Sequence, residues 1–336
     1  MSHAQLATIA PTMNAVRIDH YGGPEQLRLA LVPRPAPRED QVLVRVRATS
    51  INAVDYRILR ADPFLARFEA GLFRPSKRPV LGADVAGVVE AIGSRVRSLA
   101  VGDEVFGLTF DDGLGAFAEF VCVRASSLVK KPARTSFAQA ASIPLAGVTA
   151  LQAVRAASVK PGQRVLIQGA GGGVGTLLVQ RAKSFGAHVT AVCGPSSVEL
   201  VRSLGADRVL DYTQDDVRLS DERFDAAFGV NGYRPLREYR ALLTKGGTYV
   251  MVGGQGRQLF EALALGPLRF VGSGRRCVIL TGDRSRYPQD LEDLRARLES
   301  GELRPIVHRA FALRAASEAL RFVERGHVAG KVVLEA

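Results

Sequence analysis

A run of glycines between a predicted strand and a predicted helix constrains this chain more than any other feature. The run, QGAGGGVG at 168–175, overlaps the apolar run VLIQG at 165–169 and the segment VGTLLVQRAKSFG at 174–186, whose apolar residues recur at helical spacing. A second strand pattern, HVTAVC, follows at 188–193. Glycines allow a tight turn and let backbone N–H groups approach a pyrophosphate, to which the helix N-terminus adds partial positive charge. The sequence therefore predicts a dinucleotide-binding βαβ unit rather than a flexible surface loop.

The residues at the tip of the second strand predict which dinucleotide binds. In NAD-binding units an Asp or Glu about 20 residues beyond the glycines binds the adenosine ribose. Here the tip reads CGPSS at 193–197, and the next acidic residue is Glu199. A missing carboxylate removes repulsion against a 2′-phosphate, which favours NADP(H) over NAD(H). The serines also fit a simple helix cap, and that alternative is compatible with either cofactor. The predicted cofactor-binding residues in these two segments are Gly169, Gly171, Gly172, Gly173, Val174, Gly175, Gly194, Ser196 and Ser197.

The rest of the chain divides into three parts by pattern. Residues 1–138 are mostly strand-like, as in VLVRVRA at 42–48, and begin with a predicted mobile tail at 1–12. Residues 139–283 alternate strand and helix patterns, which predicts an α/β fold with a doubly wound parallel sheet. Residues 284–336 are read as two helices and a final strand.

A Pro- and Arg-bearing loop at 62–78 interrupts the strand-like part of the chain. It carries Phe64, Phe68 and Phe73, which we read either as an apolar lid over a cleft or as ordinary packing.

Composition excludes several classes of protein. The 336 residues suit about two globular units, and the three cysteines are too far apart for a CxxC metal site or a disulfide framework. No apolar stretch is long enough to span a membrane and no secretion signal is visible, so we expect a cytoplasmic protein. The net charge of +12 attracts anionic ligands, but the arginines are spread along the chain, so no nucleic-acid partner is expected.

Several motifs, in order, resemble those of the medium-chain dehydrogenase/reductase superfamily, and within it the zinc-free quinone oxidoreductase branch. They are SINAVDYRI at 50–58, VLGADVAGVVEAIG at 80–93, VGDEVFG at 101–107, the glycine turn, LGADRVLDY at 204–212 and GHVAGKVVL at 326–334. The resemblance implies a β-rich GroES-like catalytic domain built from both chain ends, an inserted Rossmann domain, and a substrate cleft between the two.

The chain departs from the zinc enzymes of this superfamily at their metal ligands. Those enzymes carry a catalytic Cys in the segment that matches 50–56, and a Gly-His-Glu that matches Gly82, Ala83 and Asp84. Here the first segment has no cysteine, and Ala83 and Asp84 replace the His and the Glu. Catalytic zinc needs three convergent protein ligands, so no metal site is predicted.

The resemblance also implies roles for residues outside the glycine turn. Asn52 and Asp55 are expected at the cleft floor, with Tyr56 beside them. Asn52 is a candidate to hydrogen-bond the acceptor oxygen, and Tyr56 or water to deliver a proton. The alternative for Asn52 and Asp55 is a structural role in a turn.

On the cofactor side, the resemblance places Thr149 and the pair Gly253 and Gly254 near the nicotinamide, and Tyr212 near the adenosine phosphate. Lys331 is expected either to approach the cofactor or to lie on the surface. Arg202 and Arg325 are candidates to meet the 2′-phosphate.

Together these features predict a zinc-independent, NADPH-dependent reductase of quinones or α,β-unsaturated carbonyls, acting on a small-molecule electrophile without a membrane partner, and homodimeric like its relatives. A conjugated acceptor delocalises incoming charge onto its own oxygen, which lessens the need for a Lewis acid. Two alternatives remain: a metal-free oxidoreductase of simple ketones and alcohols, and a non-catalytic NADP(H)-sensing or nucleic-acid-binding module on the same fold.

Overall fold

The strands and helices below come from a computed structural model, which describes residues 11–62, 64, 66–219, 221–232, 234–254, 258, 261–262, 270 and 272–336. The strands, in chain order, are β1 (Thr12–Arg17), β2 (Arg28–Pro33), β3 (Gln41–Ser50), β4 (Asp84–Ile92), β5 (Glu104–Leu108), β6 (Phe120–Arg124), β7 (Leu128–Lys130), β8 (Arg164–Gln168), β9 (His188–Cys193), β10 (Arg208–Asp211), β11 (Phe224–Val230), β12 (Leu243–Val252), β13 (Arg276–Ile279), β14 (Val307–Ala312) and β15 (Lys331–Glu335). The helices are α1 (Ala53–Arg60), α2 (Ala66–Ala70), α3 (Phe137–Ala141), α4 (Pro144–Ala157), α5 (Gly173–Ser184), α6 (Val198–Ser203), α7 (Leu236–Leu242), α8 (Tyr287–Ser300) and α9 (Ala316–Glu324).

The first large sheet joins both ends of the chain. Its strand order is β14-β15-β3-β4-β5-β7, and β6 also pairs with β3. In the middle of β3, Val44 and Val46 are buried while Arg45 and Arg47 are exposed, as the period-two pattern of the sequence predicts. The valines pack on Val85 and Val105 of the neighbouring strands. This sheet is the GroES-like part of the fold.

The second sheet has six parallel strands in the order β10-β9-β8-β11-β12-β13. Numbered from β8, this is the 3-2-1-4-5-6 order of a Rossmann fold. Helices cover the sheet, and α4 and α5 contribute much of its main core. The strand order reverses beside β8, so a crevice opens outside the carboxyl ends of β8 and β11. The predicted fold class, a GroES-like domain with a doubly wound parallel sheet, is confirmed.

Helix α1 corrects the sequence-based interpretation of the first 138 residues. That interpretation placed mostly strands and loops there, with a helical turn as an option only within 62–78, where α2 lies. Helix α1 was missed because the segment 53–60 is too short to show a helical period. The Asp55 carboxylate, at the third helical position, accepts a hydrogen bond from the backbone N–H of Asn52, 2.8 Å away. This bond satisfies a helix N–H that would otherwise lack a partner and helps to start the helix.

The N-terminal segment needs a second correction. Residues 1–10 of the predicted tail lie outside the described residues, but Thr12 belongs to β1, which pairs with β2 in an antiparallel hairpin. Strand β14 was also missed.

Helix α8 packs against α4, with Leu294 beside Gly147 and Asp290 bound to Gln152 and Arg155. The domain limits at 138 and 283 stay a prediction. Among the described residues no helix is long and apolar enough to cross a membrane.

Candidate functional site

A cavity of about 640 Å³ lies between the two sheets, at the carboxyl ends of β8, β9 and β11. In a doubly wound sheet this is where nucleotides bind. Twelve of the residues predicted from the sequence line it, namely Asn52, Tyr56, Gly169, Gly171, Gly172, Gly173, Val174, Gly194, Ser196, Ser197, Tyr212 and Lys331. Five others, namely Asp55, Thr149, Gly175, Gly253 and Gly254, are not among the lining residues.

The glycine turn is shaped so that side chains do not fit at most of its positions. Gly169 has φ +78°, and a Cβ on Gly175 would lie 2.1 Å from the carbonyl oxygen of Gly169. A Cβ on Gly171 would lie 2.5 Å from the Oγ of Ser197. Gly172 differs, because a Cβ there would meet only the Gly169 carbonyl oxygen at 3.7 Å, and its φ is −79°. The turn therefore exposes bare backbone at the N-terminus of α5, as a pyrophosphate site requires.

The C-terminal loop of the catalytic domain lies directly on this turn. The backbone N–H of Gly330 donates to the carbonyl oxygen of Gly171 at 2.8 Å, and Gly330 forms an isolated bridge with Gly172. A Cβ on Gly173 would lie 2.4 Å from Cδ of Lys331. The pyrophosphate end of the cavity is thus enclosed by both domains.

The residues predicted for the adenosine ribose line the cavity next to the glycine turn. A Cβ on Gly194 would lie 3.1 Å from the hydroxyl oxygen of Tyr212, so these two residues are neighbours. Ser196 is exposed, whereas Ser197 is buried against the glycine turn. The segment contains no carboxylate of its own before Glu199.

Neither arginine proposed for the 2′-phosphate lines the cavity. Arg202 forms an ion pair with Glu199 on the outer face of α6, and Arg325 is exposed just after α9. The candidates for 2′-phosphate binding that remain in the cavity wall are Ser196, Ser197 and Tyr212.

A buried polar cluster lies where residues 50–56 meet residues 82–84. These are the two segments that match the zinc-ligand positions of the related zinc enzymes. Nζ of Lys331 donates to the Oδ1 of Asn52 at 2.5 Å and to the carbonyl oxygen of Ile51 at 2.9 Å, and it lies 3.6 Å from the Oδ2 of Asp84. All three neighbours are acceptors, which is the environment of an ammonium group. Burial lowers the pKa of Lys331, while the charge of Asp84 opposes that shift.

The side-chain amide of Asn52 makes its hydrogen bonds within the same cluster. Its Nδ2 donates to the Oδ2 of Asp84 at 2.7 Å and to the carbonyl oxygen of Ser50 at 3.2 Å, and its Oδ1 accepts from Lys331. The remaining carboxylate oxygen of Asp84 accepts from the backbone N–H of Leu145. Both amide hydrogens of Asn52 are therefore used within the protein. This arrangement does not support the predicted hydrogen bond from Asn52 to an acceptor oxygen.

Asp55 is fully buried below the cavity rather than at its surface. Its two carboxylate oxygens accept from the backbone N–H groups of Asn52 and Gly82, at 2.8 and 2.9 Å. Desolvation by burial raises the pKa of this carboxyl from 3.8 to about 7, although the backbone N–H groups oppose the shift. The geometry supports the structural alternative for Asp55, in which it ties α1 to the segment before β4.

The raised pKa of Asp55 makes a pH-dependent stability prediction. The folded protein keeps the proton up to about pH 7, whereas the unfolded chain releases it near 3.8. The stabilisation that comes from the raised pKa of Asp55 is therefore complete below pH 3.8 and is lost as the pH rises through about 7. Between these limits, the free energy of unfolding of the wild type should fall relative to that of Asp55→Asn by about 1.4 kcal/mol for each unit that the pH rises. Urea titrations across this range measure the slope, and a slope of opposite sign would show a depressed pKa instead.

Tyr56 lines the cavity, as Asn52 does, and its hydroxyl makes no hydrogen bond within the described residues. Tyr56 is the residue after Asp55 in α1. Burial raises the pKa of the Tyr56 hydroxyl. The hydroxyl therefore stays protonated at neutral pH and is able to donate to a bound acceptor. Thr149, by contrast, uses its hydroxyl to donate to the carbonyl oxygen of Leu145 at 2.7 Å.

Gly253 and Gly254 follow β12, where Arg57 reaches them from the other domain. Nη2 of Arg57 donates to the carbonyl oxygen of Gly254 at 2.8 Å. Both glycines have positive φ, +66° and +154°, so the turn needs residues without Cβ atoms. This contact joins α1 to the end of the Rossmann sheet.

Sequence reasoning missed three polar residues of the cavity wall: Gln168, Asn231 and His327. Gln168 and Asn231 stand at the carboxyl ends of β8 and β11, and polar residues directly after apolar strands are a signal that could have identified them. His327 has φ +64° in the loop before Lys331, and neither a period nor a spacing pointed to it.

Comparisons with known proteins agree with this architecture. A family model described as the alcohol dehydrogenase GroES-like domain matches residues 38–133, and one described as zinc-binding dehydrogenase matches residues 204–334. An NADPH-dependent alkenal/one oxidoreductase of Arabidopsis thaliana is 33% identical, with 98% of this chain and 81% of the relative covered. The chain belongs to the medium-chain dehydrogenase/reductase superfamily. Within this superfamily it lies in the quinone oxidoreductase branch, and it is an oxidoreductase.

Two further members show how far the similarity extends. The 2-methylene-furan-3-one reductase of Solanum lycopersicum is 32% identical over 97% of this chain and 80% of its own length. The structure of the quinone oxidoreductase from Coxiella burnetii superposes with a TM-score of 0.86 at 31% identity, covering 97% of this chain and all of that one. The predicted superfamily and branch are thus confirmed.

The donor set does not fit the zinc ion that one of the family descriptions mentions. Zinc requires three convergent ligands such as thiolate, imidazole or carboxylate. The matching segments here offer the amide of Asn52, the methyl group of Ala83 and the carboxylate of Asp84, which lies 3.6 Å from the ammonium of Lys331. A fixed positive charge at this point repels a second cation. The other carboxylate, that of Asp55, already accepts from two backbone N–H groups. In the described part of the chain, no group of three His, Cys, Asp or Glu side chains is placed to hold a metal.

Proposed function

We propose that this oxidoreductase transfers hydride from NADPH to a quinone or an α,β-unsaturated carbonyl without a metal ion. The observation that carries the proposal is the Lys331–Asn52–Asp84 cluster, which replaces the metal ligands beside a cavity with a pyrophosphate-binding turn. The relatives named as alkenal/one oxidoreductase, 2-methylene-furan-3-one reductase and quinone oxidoreductase support this acceptor class.

NADP(H) is the cofactor that fits the cavity. Gly172 and the N-terminus of α5 would hold the pyrophosphate, and Ser196, Ser197 and Tyr212 would surround the adenosine ribose. When bound, the cofactor supplies the hydride. The chain's own part is to align the acceptor with it and to exclude water, and alignment alone is worth several orders of magnitude in rate.

Three side chains of the catalytic domain act on the acceptor. Tyr56 presents a protonated hydroxyl to the cavity and is the proposed proton donor, directly or through water. The ammonium of Lys331 places a fixed positive charge near the point where negative charge develops on the acceptor oxygen. Asn52 orients that ammonium through its Oδ1, which makes it a positioning residue.

A panel of acceptors tests this function. The purified protein is mixed with NADPH and, in parallel, with a benzoquinone, an enone and a saturated ketone in the presence of a chelator. The proposal predicts NADPH oxidation with the first two and little with the third. Turnover with the saturated ketone alone would favour the metal-free ketone and alcohol alternative, and no oxidation with any acceptor would favour a sensing module.

The preference for NADPH over NADH makes a separate prediction at the exposed Ser196. In Ser196→Glu the new carboxylate repels the 2′-phosphate, so the Kd for NADPH should rise roughly tenfold by Coulomb repulsion across a few ångströms of water. The Kd for NADH should stay the same or fall. Fluorescence titration of both cofactors measures the two constants. Ser196→Gln is the matched neutral control. An equal loss in both variants would show that bulk rather than charge weakens binding, and no loss in Ser196→Glu would place the 2′-phosphate elsewhere.

Homodimer formation and residence in the cytoplasm stay predictions. Light scattering of the purified protein tests the first, and fractionation of cells tests the second.

A further inference from the structure

The segment after α1 exposes more large apolar side chains than any other short stretch of the described chain. Phe64, Phe68, Leu72 and Phe73 are 60%, 62%, 45% and 84% exposed. We call the described residues of 64–78 the aromatic loop. Soluble proteins rarely expose several large apolar groups together unless the surface binds a partner.

The backbone of the aromatic loop is fixed although its phenylalanines point outward. The hydroxyl of Tyr21 donates to the carbonyl oxygen of Gly71, and the guanidinium of Arg67 lies 4.8 Å from the centre of the Tyr21 ring. Nη1 of Arg67 also donates to the carbonyl oxygen of Leu72 at 3.2 Å. The backbone N–H of Lys77 donates to the carbonyl oxygen of Ala70 at 3.0 Å. The backbone that carries the exposed rings is thus held by contacts with the rest of the fold.

These rings do not form the lid that the sequence suggested as one possibility. None of Phe64, Phe68 and Phe73 lines the cavity. Phe64 and Phe68 instead contact each other edge to face, with ring centres 6.3 Å apart.

The aromatic loop carries more basic than acidic residues. Residues 64–78 contain four basic residues and one acidic residue. Arg74 is adjacent to Phe73, and both Arg74 and Lys77 are exposed. Aromatic side chains that insert among headgroups, combined with basic residues that meet anionic lipids, are the pattern of a protein surface that binds a bilayer interface.

The position of the loop adds a reason for such a partner. Helix α1 supplies Ala53 and Tyr56 to the cavity wall and ends at Arg60, immediately before this loop. Apolar small molecules concentrate in lipid, so a protein docked through the loop would hold its cavity close to that store.

We propose that the aromatic loop docks this protein onto the surface of an anionic lipid bilayer, with the phenylalanines inserted at headgroup level and Arg74 and Lys77 against the lipid charges. This peripheral contact differs from the sequence-based expectation of no membrane partner, which considered only spanning segments. The exposed rings and the basic residues carry the inference without the proposed reaction, and only the argument from lipid as a store of apolar molecules rests on the proposed function.

Co-sedimentation of the full-length protein with vesicles tests the docking surface. Wild type should bind phosphatidylcholine vesicles that contain phosphatidylglycerol, and should bind pure phosphatidylcholine vesicles much more weakly. The pair Arg74→Gln and Lys77→Gln should weaken binding roughly thirtyfold, at about a factor of five to six per charge. The pair Phe68→Ser and Phe73→Ser should weaken it by roughly tenfold or more.

Matched controls use exposed residues elsewhere in the chain. Leu219→Ser, at an 87% exposed leucine, and the pair Arg134→Gln and Lys160→Gln should leave vesicle binding unchanged. All variants should keep the wild-type Tm and Kd for NADPH, which shows that they fold.

Three results would overturn the proposal. The first is no sedimentation of the wild type with vesicles that contain phosphatidylglycerol. The second is a loss of vesicle binding in the control variants as large as the loss in the loop variants, and the third is vesicle binding by the loop variants equal to that of the wild type. Loop variants that changed the molar mass in light scattering, with no vesicle binding by wild type, would assign the surface to a second copy of this chain. RNA binding abolished by the same loop variants, again without vesicle binding, would assign it to nucleic acid.

Discussion

Gly172→Val should fold like the wild type and lose most of its affinity for NADPH. The Cβ of this residue meets only the Gly169 carbonyl oxygen at 3.7 Å, and the backbone has φ −79° and ψ 177°, which valine adopts without strain. The isopropyl group would occupy the cavity wall where backbone N–H groups must approach the pyrophosphate. Losing two charge-assisted hydrogen bonds costs about 3 kcal/mol or more, which is roughly a hundredfold increase in Kd.

Fluorescence titration with NADPH measures this loss, and thermal unfolding of the apo protein shows whether the fold is intact. Gly246→Asn is the control, because an added Cβ at Gly246 has no atom within 4 Å, the residue lies outside the cavity, and asparagine tolerates its φ of +88°. Unchanged NADPH affinity in Gly172→Val would mean that the pyrophosphate does not lie on this turn.

Lys331→Met should lower both the stability and the turnover of the protein. Removing the ammonium leaves the fully buried Asp84 carboxylate without its cation, and breaking such a pair costs about 3–5 kcal/mol in free energy of unfolding. The turnover of the protein that remains folded should fall by roughly a hundredfold, as when one group that stabilises developing negative charge is lost. Steady-state kinetics at a temperature where the variant is folded measures kcat, and urea unfolding measures stability.

Lys131→Met separates the two effects, because Lys131 is another buried lysine, 4% exposed and paired with Glu104, that does not line the cavity. It should lose stability and keep its kcat. The wild-type kcat should also decline at alkaline pH as Lys331 loses its proton. Because burial lowers the pKa of Lys331, this decline should come at a lower pH than an ordinary lysine would give. Lys331→Arg should recover part of the lost kcat without this decline. A wild-type kcat in Lys331→Met would leave Lys331 with a structural role only.

The glycine turn could be identified from the sequence because its signal is local. A strand pattern, a run of glycines and a helix pattern occur within about two dozen residues, and each reflects backbone geometry that the neighbouring residues impose. The same holds for β3, whose alternating valines and arginines give its buried and exposed faces directly.

The polar cluster could not be derived in the same way. Asn52, Asp84 and Lys331 come from three distant parts of the chain, and only the pairing of β3 with β15 on one side and β4 on the other brings them together. Their hydrogen bonds decide which side chains remain available to a ligand. The family resemblance made Asn52 a candidate to hydrogen-bond the acceptor oxygen, whereas in the structure both of its amide hydrogens are donated to Ser50 and Asp84.

Exposure was equally hard to foresee for the aromatic loop. Phenylalanines in a sequence suggest burial, and Phe68 and Phe73 are exceptions that depend on how Tyr21 and Arg67 hold the backbone beneath them. A long-range contact of this kind leaves no periodic pattern.

The most direct test of the account is the metal content of the active protein. The purified protein is dialysed against a strong chelator, its zinc is measured by mass spectrometry, and its oxidation of NADPH by a quinone is followed in the same sample. The account predicts full turnover by protein that carries far less than one zinc ion per chain. Activity that disappears with the metal and returns when zinc is added would contradict it.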